Sequence, residues 1–321
     1  MILDVRGLSV RFGAVPAVND LSFTLARGET LAVVGESGSG KSVTSLALMR
    51  LLPRGTAVTG SALLDGQDLL ALPEAEMRRL RGGAIAMVFQ EPMTSLNPTT
   101  AVGAQVAEAV RLHRGMDAPA AREEAARLLD LVGIPAARQR LDDYPHHLSG
   151  GMRQRVMIAM ALAGDPQVLI ADEPTTALDV TIQAQILDLL KRLQQSTGMA
   201  MVFITHNLGV VAEVADRVLV MCGGRAVEQA PLRPLFRQPL MPYTAGLLRS
   251  VPRMELAGQR RGPLPAIPGN VPDPRAMPPG CVFHPRCAHH QPGRCDAQAP
   301  VLEPAGEARA VRCLRWKELA A

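Results

Sequence analysis

The sequence predicts an α/β fold in which parallel strands carry helices and end in a phosphate-binding site. Two apolar runs, Thr30–Val34 and 168–171, each lead into polar residues suited to a nucleotide. Aromatic residues make up 3% of the chain and hydrophobic residues 47%, a composition typical of helices packed on parallel strands. The 321 residues are enough for about two domains.

Further strands are expected before and after these two runs. Apolar segments at 8–12 and 21–25, with Gly and Pro between them, predict a small antiparallel element at the start. Between residues 102 and 162, Ala, Leu, Arg and Glu recur at helical spacing, which predicts a helical subdomain inserted at about 92–164. The other predicted strands are 84–89, 200–205, 217–221 and 226–229.

A glycine-rich loop follows the first apolar run and fits the pattern GxxxxGK[ST]. Its glycines let backbone N–H groups wrap a triphosphate without interference from side chains. Lys41 is placed to reach the β and γ phosphates, and Ser42 to bind Mg²⁺. The predicted helix that follows points its positive end at the phosphates. The predicted nucleotide-binding residues of this loop are Gly35, Glu36, Ser37, Gly38, Ser39, Gly40, Lys41 and Ser42.

The second apolar run ends in two adjacent carboxylates. In open α/β sheets, ligands bind at the carboxyl ends of the strands, so Asp172 is expected to bind Mg²⁺ directly or through water. Glu173 is then placed to orient or deprotonate the water that attacks the γ phosphate. Together with the loop, this pair predicts a nucleotide-hydrolysing site that uses Mg²⁺.

A third segment places a hydroxyl and two glycines before a helix-like run, 152–162. Such a helix start suits an anion because its N–H groups and its dipole both point at the ligand. The sequence LSGGM followed by QR resembles the signature of ATP-binding cassette (ABC) proteins. In that family this loop, here Ser149, Gly150 and Gly151, closes over the γ phosphate of ATP held by the opposite subunit.

The resemblance implies a P-loop NTPase fold with a RecA-like core and an N-terminal antiparallel β element. It also implies the inserted helical subdomain and an irregular C-terminal appendage rich in Cys and Pro. The chain is accordingly divided into a nucleotide-binding domain at 1–230 and an appendage at 231–321.

The same resemblance assigns further site residues. Phe12 resembles the aromatic residue that stacks on adenine, and Asp179 resembles the aspartate that crosses the dimer interface. Gln90 resembles the glutamine that touches Mg²⁺ and relays nucleotide state to the membrane partner, and His206 the histidine that contacts the γ phosphate. The implied catalytic residues are Glu173, His206 and Gln90, and the implied Mg²⁺ ligands are Ser42, Gln90 and Asp172.

Longer stretches resemble the ATPases of bacterial peptide importers, the oligopeptide, dipeptide and nickel group. They are 171–181, 241–244, 247–252 and 267–273. The resemblance implies two membrane permease subunits, an extracytoplasmic binding protein and a place on the cytoplasmic face of the bacterial inner membrane. It favours a heterodimer with a second ABC ATPase over a homodimer. The cargo, whether peptides, a nickel chelate or glutathione, stays open.

Other locations and functions are less favoured. The first residues do not resemble a signal peptide, and no stretch approaches the roughly 20 apolar residues of a membrane span. A soluble ABC ATPase acting on nucleic acid or ribosomes is the runner-up, and the lack of sustained heptads counts against it. Nucleic acid is therefore not an expected partner, and the intact Glu173 argues against a regulatory subunit without turnover.

Four of the five cysteines lie in the Pro-rich final segment. Disulfides are disfavoured in a reducing cytosol, and structural zinc usually shows more closely spaced Cys pairs. Four thiolates from an irregular loop suit a [4Fe–4S] cluster, and the peptide-importer ATPases include members with such a site. Zinc, with His284, His289 or His290 substituting, and unligated thiols are the alternatives. The expected cluster ligands are Cys281, Cys287, Cys295 and Cys313.

Overall fold

The computed structural model describes residues 1–91, 95–176, 178–251 and 266–319. The strands, in chain order, are β1 Leu3–Phe12, β2 Val15–Leu25, β3 Thr30–Val34, β4 Ala57–Leu64, β5 Gln67–Asp68, β6 Ile85–Val88, β7 Val168–Asp172, β8 Ala200–Thr205, β9 Arg217–Cys222, β10 Arg225–Pro231, β11 Glu303–Pro304 and β12 Ala310–Val311. The α-helices are α1 Lys41–Leu48, α2 Glu74–Leu80, α3 Val102–Arg114, α4 Ala118–Leu131, α5 Gly150–Leu162, α6 Val180–Thr197, α7 Leu208–Val214, α8 Leu232–Arg237, α9 Pro242–Arg249 and α10 Trp316–Leu319.

The chain forms two compact units. The first comprises Met1–Leu3, Leu25–Glu29 and Leu63–Ile204. The second comprises Asp4–Thr24, Thr30–Ala62 and Thr205–Ala321. Sequence-distant segments therefore build each unit, as expected when a subdomain is inserted into an α/β body.

The first unit contains parallel strands and a helical layer. β6 pairs with β7 and β7 with β8, both in parallel register. Every residue of β7 is buried, because the strand has a neighbour on each side. α3 packs on α4, both pack on α5, and α5 contacts β6, which is the helical subdomain that the sequence predicted.

The second unit contains the phosphate loop and the C-terminal segment. β3 pairs with β9 in parallel, and β10 pairs antiparallel with both β9 and β12. β2 and β1 are neighbouring strands joined by only two residues, which requires the antiparallel hairpin predicted for the start of the chain. α7 packs on β3, and α8 packs on β9 and β10.

The C-terminal segment is built into this second unit by a buried carboxylate. Glu228 on β10 is fully buried and accepts hydrogen bonds from the Leu240 and Met241 amides at 2.9 and 3.0 Å. Arg309 lies 3.3 Å from the same carboxylate, which supplies a compensating charge. The domain boundary predicted at residue 230 falls within β10, in the middle of this arrangement.

Among the described residues, no helix combines the length and the apolar character needed to cross a bilayer.

Candidate functional site

The phosphate loop connects β3 to α1 in the second unit, as predicted. Gly40 caps the helix, which begins at Lys41. The Lys41 Nζ donates hydrogen bonds to the carbonyl oxygens of Gly35 and Glu36, at 2.8 and 3.0 Å. The lysine therefore spans its own loop, and its charge is held beside the loop backbone.

Two glycines of the loop lie where a side chain cannot fit. Gly40 has a φ of 98°, and a Cβ there would lie 2.6 Å from the carbonyl oxygen of Ala17. At Gly35 a Cβ would lie 2.2 Å from the carbonyl oxygen of Met221. Both obstacles are backbone atoms, which have little freedom to move aside, so the compact loop requires glycine at both positions.

Glu36, the second residue of the loop, is held by two residues from the C-terminal segment. The Arg286 guanidinium makes two parallel hydrogen bonds of 2.7 Å to its carboxylate. The Glu36 amide donates to the Tyr243 hydroxyl oxygen at 2.9 Å. The hydrogen bond with Glu36 raises the pKa of Arg286, and burial raises the pKa of Tyr243, so Arg286 stays charged and Tyr243 neutral.

The carboxylate pair lies at the end of β7 in the first unit. Asp172 is buried as the last residue of the strand. Glu173 follows with a φ of 47°, a left-handed conformation that is unusual outside glycine and typical of functional sites. Its amide donates to the Ile204 carbonyl at 2.9 Å, which fixes the backbone in this conformation.

The side chain of Glu173 is oriented by two donors. Gln90 Nε2 lies 3.1 Å from Glu173 Oε2, so the structure brings together two of the three predicted catalytic residues. Thr176 Oγ1 donates to the same oxygen at 2.8 Å. Sequence reasoning did not assign Thr176 a role, although it lies within the stretch 171–181 that carried the resemblance.

The predicted signature residues start α5 in the first unit. Ser149 is the N-cap and accepts a hydrogen bond from the Met152 amide at 3.3 Å. A Cβ on Gly151 would lie 2.6 Å from the Ile182 side chain of α6. Asp179 caps α6 by accepting from the Ile182 amide at 2.9 Å. The starts of α5 and α6 are therefore close together, and each is the positive end of its helix dipole.

Phe12 and His206 belong to the second unit. Phe12 ends β1 with 38% of its surface exposed, which suits a ring that stacks on a base. His206 follows β8 at an exposed position.

The four C-terminal cysteines meet around one cavity. Cys281, Cys287, Cys295 and Cys313 all line a space of about 20 Å³. The Cys281 amide donates to the Cys295 carbonyl at 2.8 Å, which ties two of the four segments together. Burial raises the pKa of Cys281 and Cys287, and raises that of Cys313 to about 11. The thiols would have to lose protons to bind a metal.

The side chains around this cavity are not close enough in arrangement to form a metal site as they stand. Within the described ranges, no group of three or more His, Cys, Asp or Glu residues is positioned to hold a metal ion. Four thiols are nevertheless the type of ligand that thiophilic centres use. Cys222, the remaining cysteine, is buried in the core of the second unit, as a small apolar residue would be.

Comparisons with known proteins agree with this geometry. The model of the ABC transporter family matches residues 18–176, and that of the oligopeptide/dipeptide transporter C-terminal region matches 227–295. A Brucella ovis protein named as a peptide import ATP-binding protein is 55% identical over 100% of this chain and 98% of its own length. This chain belongs to the oligopeptide/dipeptide ABC importer ATPases. A second such protein, from Brucella abortus, is 50% identical to this chain, and the match covers 97% of this chain and 94% of the Brucella protein.

Solved structures match the cassette part of this importer ATPase. The ATP-binding cassette MJ0796, a dimer in a post-hydrolysis state with ADP and Pi, gives a TM-score of 0.64 at 27% identity. That match covers 72% of this chain and 99% of the cassette. CbiO1 of Clostridium perfringens, part of an ABC transporter complex, gives 0.64 at 28% identity and covers 74% of this chain and 90% of its own. The predicted P-loop NTPase fold is confirmed.

Gly40 provides a direct test of the loop geometry. Gly40→Ala should weaken ATP binding by about tenfold or more, because the Ala17 carbonyl would push the loop out of its conformation. Titration with a fluorescent ATP analogue measures this change. Gly55→Ala is the matched control, since Gly55 also has a positive φ, of 85°, but open space around its Cβ. Equal affinities for the two variants would contradict the steric argument.

Proposed function

We propose that this chain is the ATP-hydrolysing subunit that powers import of di- or oligopeptides through a membrane permease. The hydrogen bond between Gln90 and Glu173 carries the enzymatic part, because it holds a carboxylate at the end of a buried strand in a family of ATPases. The peptide cargo is supported by the relatives, whose names describe peptide import.

Each predicted residue has a place in this proposal. The loop 35–42 would bind the triphosphate, with Lys41 for the β and γ phosphates, Phe12 for the base and His206 for the γ phosphate. Glu173 would accept the proton of the attacking water, and Gln90 would orient the Glu173 carboxylate. Ser42, Gln90 and Asp172 would hold Mg²⁺, which neutralises charge on the phosphates when bound.

A second ATPase subunit completes the site in this proposal. Ser149, Gly150 and Gly151 would close over ATP held by the partner's phosphate loop, with Asp179 at the same interface. The adjacent starts of α5 and α6 support this role, because two positive helix ends suit a γ phosphate. ATP binding closes the dimer and hydrolysis reopens it, since only the closed state makes both sets of contacts.

The remaining partners follow from the same family. Two permease subunits and an extracytoplasmic binding protein would deliver the cargo, and the chain would lie on the cytoplasmic face of the inner membrane. A related second ATPase is proposed as the partner, rather than another copy of this chain.

Glu173→Gln tests the catalytic assignment. The variant should bind ATP within about twofold of wild type, because its shape is kept, and lose about 10²–10⁴-fold in steady-state hydrolysis as its base is removed. Phosphate release and equilibrium ATP binding measure the two effects. Glu76→Gln, an exposed residue of α2, is the control and should keep full activity. Near-normal turnover by Glu173→Gln would refute its role as base.

The transport assignment is tested on the purified membrane complex in liposomes. Binding protein loaded with peptide should stimulate ATP hydrolysis, and mass spectrometry should find this chain together with a second ATPase and two permeases. Stimulation by a nickel chelate or glutathione alone would contradict the peptide cargo, and two copies of this chain would contradict the heterodimer.

For the cysteines, we propose a [4Fe–4S] cluster held by Cys281, Cys287, Cys295 and Cys313. The convergence of four thiols on one cavity supports a centre at this place. Zinc is the alternative, since a single ion requires less room than a four-iron cluster.

Anaerobic purification distinguishes these occupants. The proposal predicts roughly four irons and four sulfides per chain and broad visible absorbance. Cys313→Ser should lose this iron, while Cys222→Ala, which alters a cysteine of the core, should keep it. Stoichiometric zinc in place of iron, or iron that survives in Cys313→Ser, would contradict the cluster.

A further inference from the structure

Glu36 of the phosphate loop is hydrogen-bonded through both its carboxylate and its amide. Its two carboxylate oxygens each accept one hydrogen bond of 2.7 Å from Arg286, in the paired geometry that gives arginine its specificity for carboxylates. The Arg286 side chain is only 5% exposed and that of Glu36 25%. Such a pair is stronger and less screened by salt than an ion pair at the surface.

Arg286 is itself held in place by contacts other than its pair with Glu36. Its Nε donates to the Pro268 carbonyl at 3.0 Å, so a third hydrogen bond orients the plane of the guanidinium. The ring of Phe283 lies 5.9 Å from its central carbon. The arginine therefore presents a rigid fork to the loop instead of a mobile charge.

Tyr243 secures the backbone of the same residue. Its hydroxyl oxygen accepts the Glu36 amide at 2.9 Å, and its ring packs edge-on against Phe283 with 5.2 Å between centroids. The ring is fully buried, so the hydroxyl has a fixed position. Side chain and main chain of Glu36 are thus both held by residues beyond position 240.

Glu36 is also hydrogen-bonded to Lys41, the residue proposed to contact the phosphates of the nucleotide. The Glu36 carbonyl accepts one of the two hydrogen bonds from Lys41 Nζ, and Gly35 accepts the other. Any shift of Glu36 would therefore move the peptide groups on either side of it, which belong to the loop that wraps the phosphates.

We propose that Arg286 and Tyr243 are positioning residues for ATP: by holding Glu36 they fix the phosphate loop in its binding conformation and so raise its affinity for nucleotide. The proposal rests on the ATPase function proposed above. It changes the role expected for Glu36, whose carboxylate binds Arg286, and it gives the C-terminal segment a direct effect on nucleotide binding.

The test measures ATP affinity and steady-state kinetics on the full chain. Arg286→Met removes the fork while keeping a long side chain, and should weaken ATP binding about tenfold, because a displaced loop loses several phosphate contacts at once. The KM for ATP should rise by a similar factor while kcat stays within about twofold, since Gln90 and Glu173 are unchanged.

Arg312→Met is the matched control. Arg312 is also a buried arginine of the C-terminal segment, and it donates to the carbonyl oxygens of Ala226 and Pro300 at 2.8 and 3.1 Å. Its loss should lower the melting temperature as Arg286→Met does, but leave ATP affinity within about twofold of wild type. Equal losses of affinity in the two variants would show a general effect of stability and overturn the proposal.

Two further variants extend the test, and the first of them keeps it decisive if Arg286→Met folds poorly. Tyr243→Phe removes only the hydroxyl and should weaken ATP binding by about threefold with its ring packing intact. Arg286→Met combined with Glu36→Gln should bind ATP no more weakly than Arg286→Met alone, because both changes break one pair.

The outcomes also separate this proposal from the function on which it depends. Wild-type chain that fails to bind ATP would overturn both. Wild-type chain that binds ATP, with Arg286→Met and Tyr243→Phe binding equally well, would overturn the positioning role alone.

Discussion

A triphosphate can be wrapped by backbone N–H groups only where no side chain intervenes and where the loop does not move. The first condition is met by Gly35 and Gly40, which lie against the carbonyls of Met221 and Ala17. The second condition, a loop that does not move, is harder to meet, because a loop rich in glycine has much conformational freedom to lose on binding. In this protein the loop is fixed from outside, through Glu36, so that less of this cost falls on ATP binding.

The residues that fix the loop explain why the C-terminal segment is integrated with the unit that contains it. Glu228 secures the start of α9 through the Leu240 and Met241 amides, and α9 carries Tyr243. Arg286 immediately precedes Cys287, one of the four cysteines around the cavity. The segment that gathers the thiols is thus also the segment that holds the phosphate loop.

Much of the fold could be predicted from local sequence. The apolar runs at 168–171 and 200–205 coincide with β7 and β8, since buried parallel strands are continuously apolar. β4 was missed because three of its eight residues, AVTGSALL, are polar or glycine and only two are buried, so that its pairing in the sheet determines its structure. The ion pair of Glu36 with Arg286 spans 250 positions, and no local pattern reveals a contact at that separation. The loop 35–42 and the segment 149–151 could be proposed from the sequence because each is a short contiguous motif.

A structure of this chain with Mg²⁺ and a non-hydrolysable ATP analogue tests the central claim most directly. A preformed loop predicts that Lys41 Nζ leaves the carbonyls of Gly35 and Glu36 for the phosphates, while the loop backbone stays in place. The two hydrogen bonds from Arg286 and the one to Tyr243 should remain as they are without nucleotide. A bound structure in which Glu36 separates from Arg286 and the loop adopts a new conformation would contradict the account.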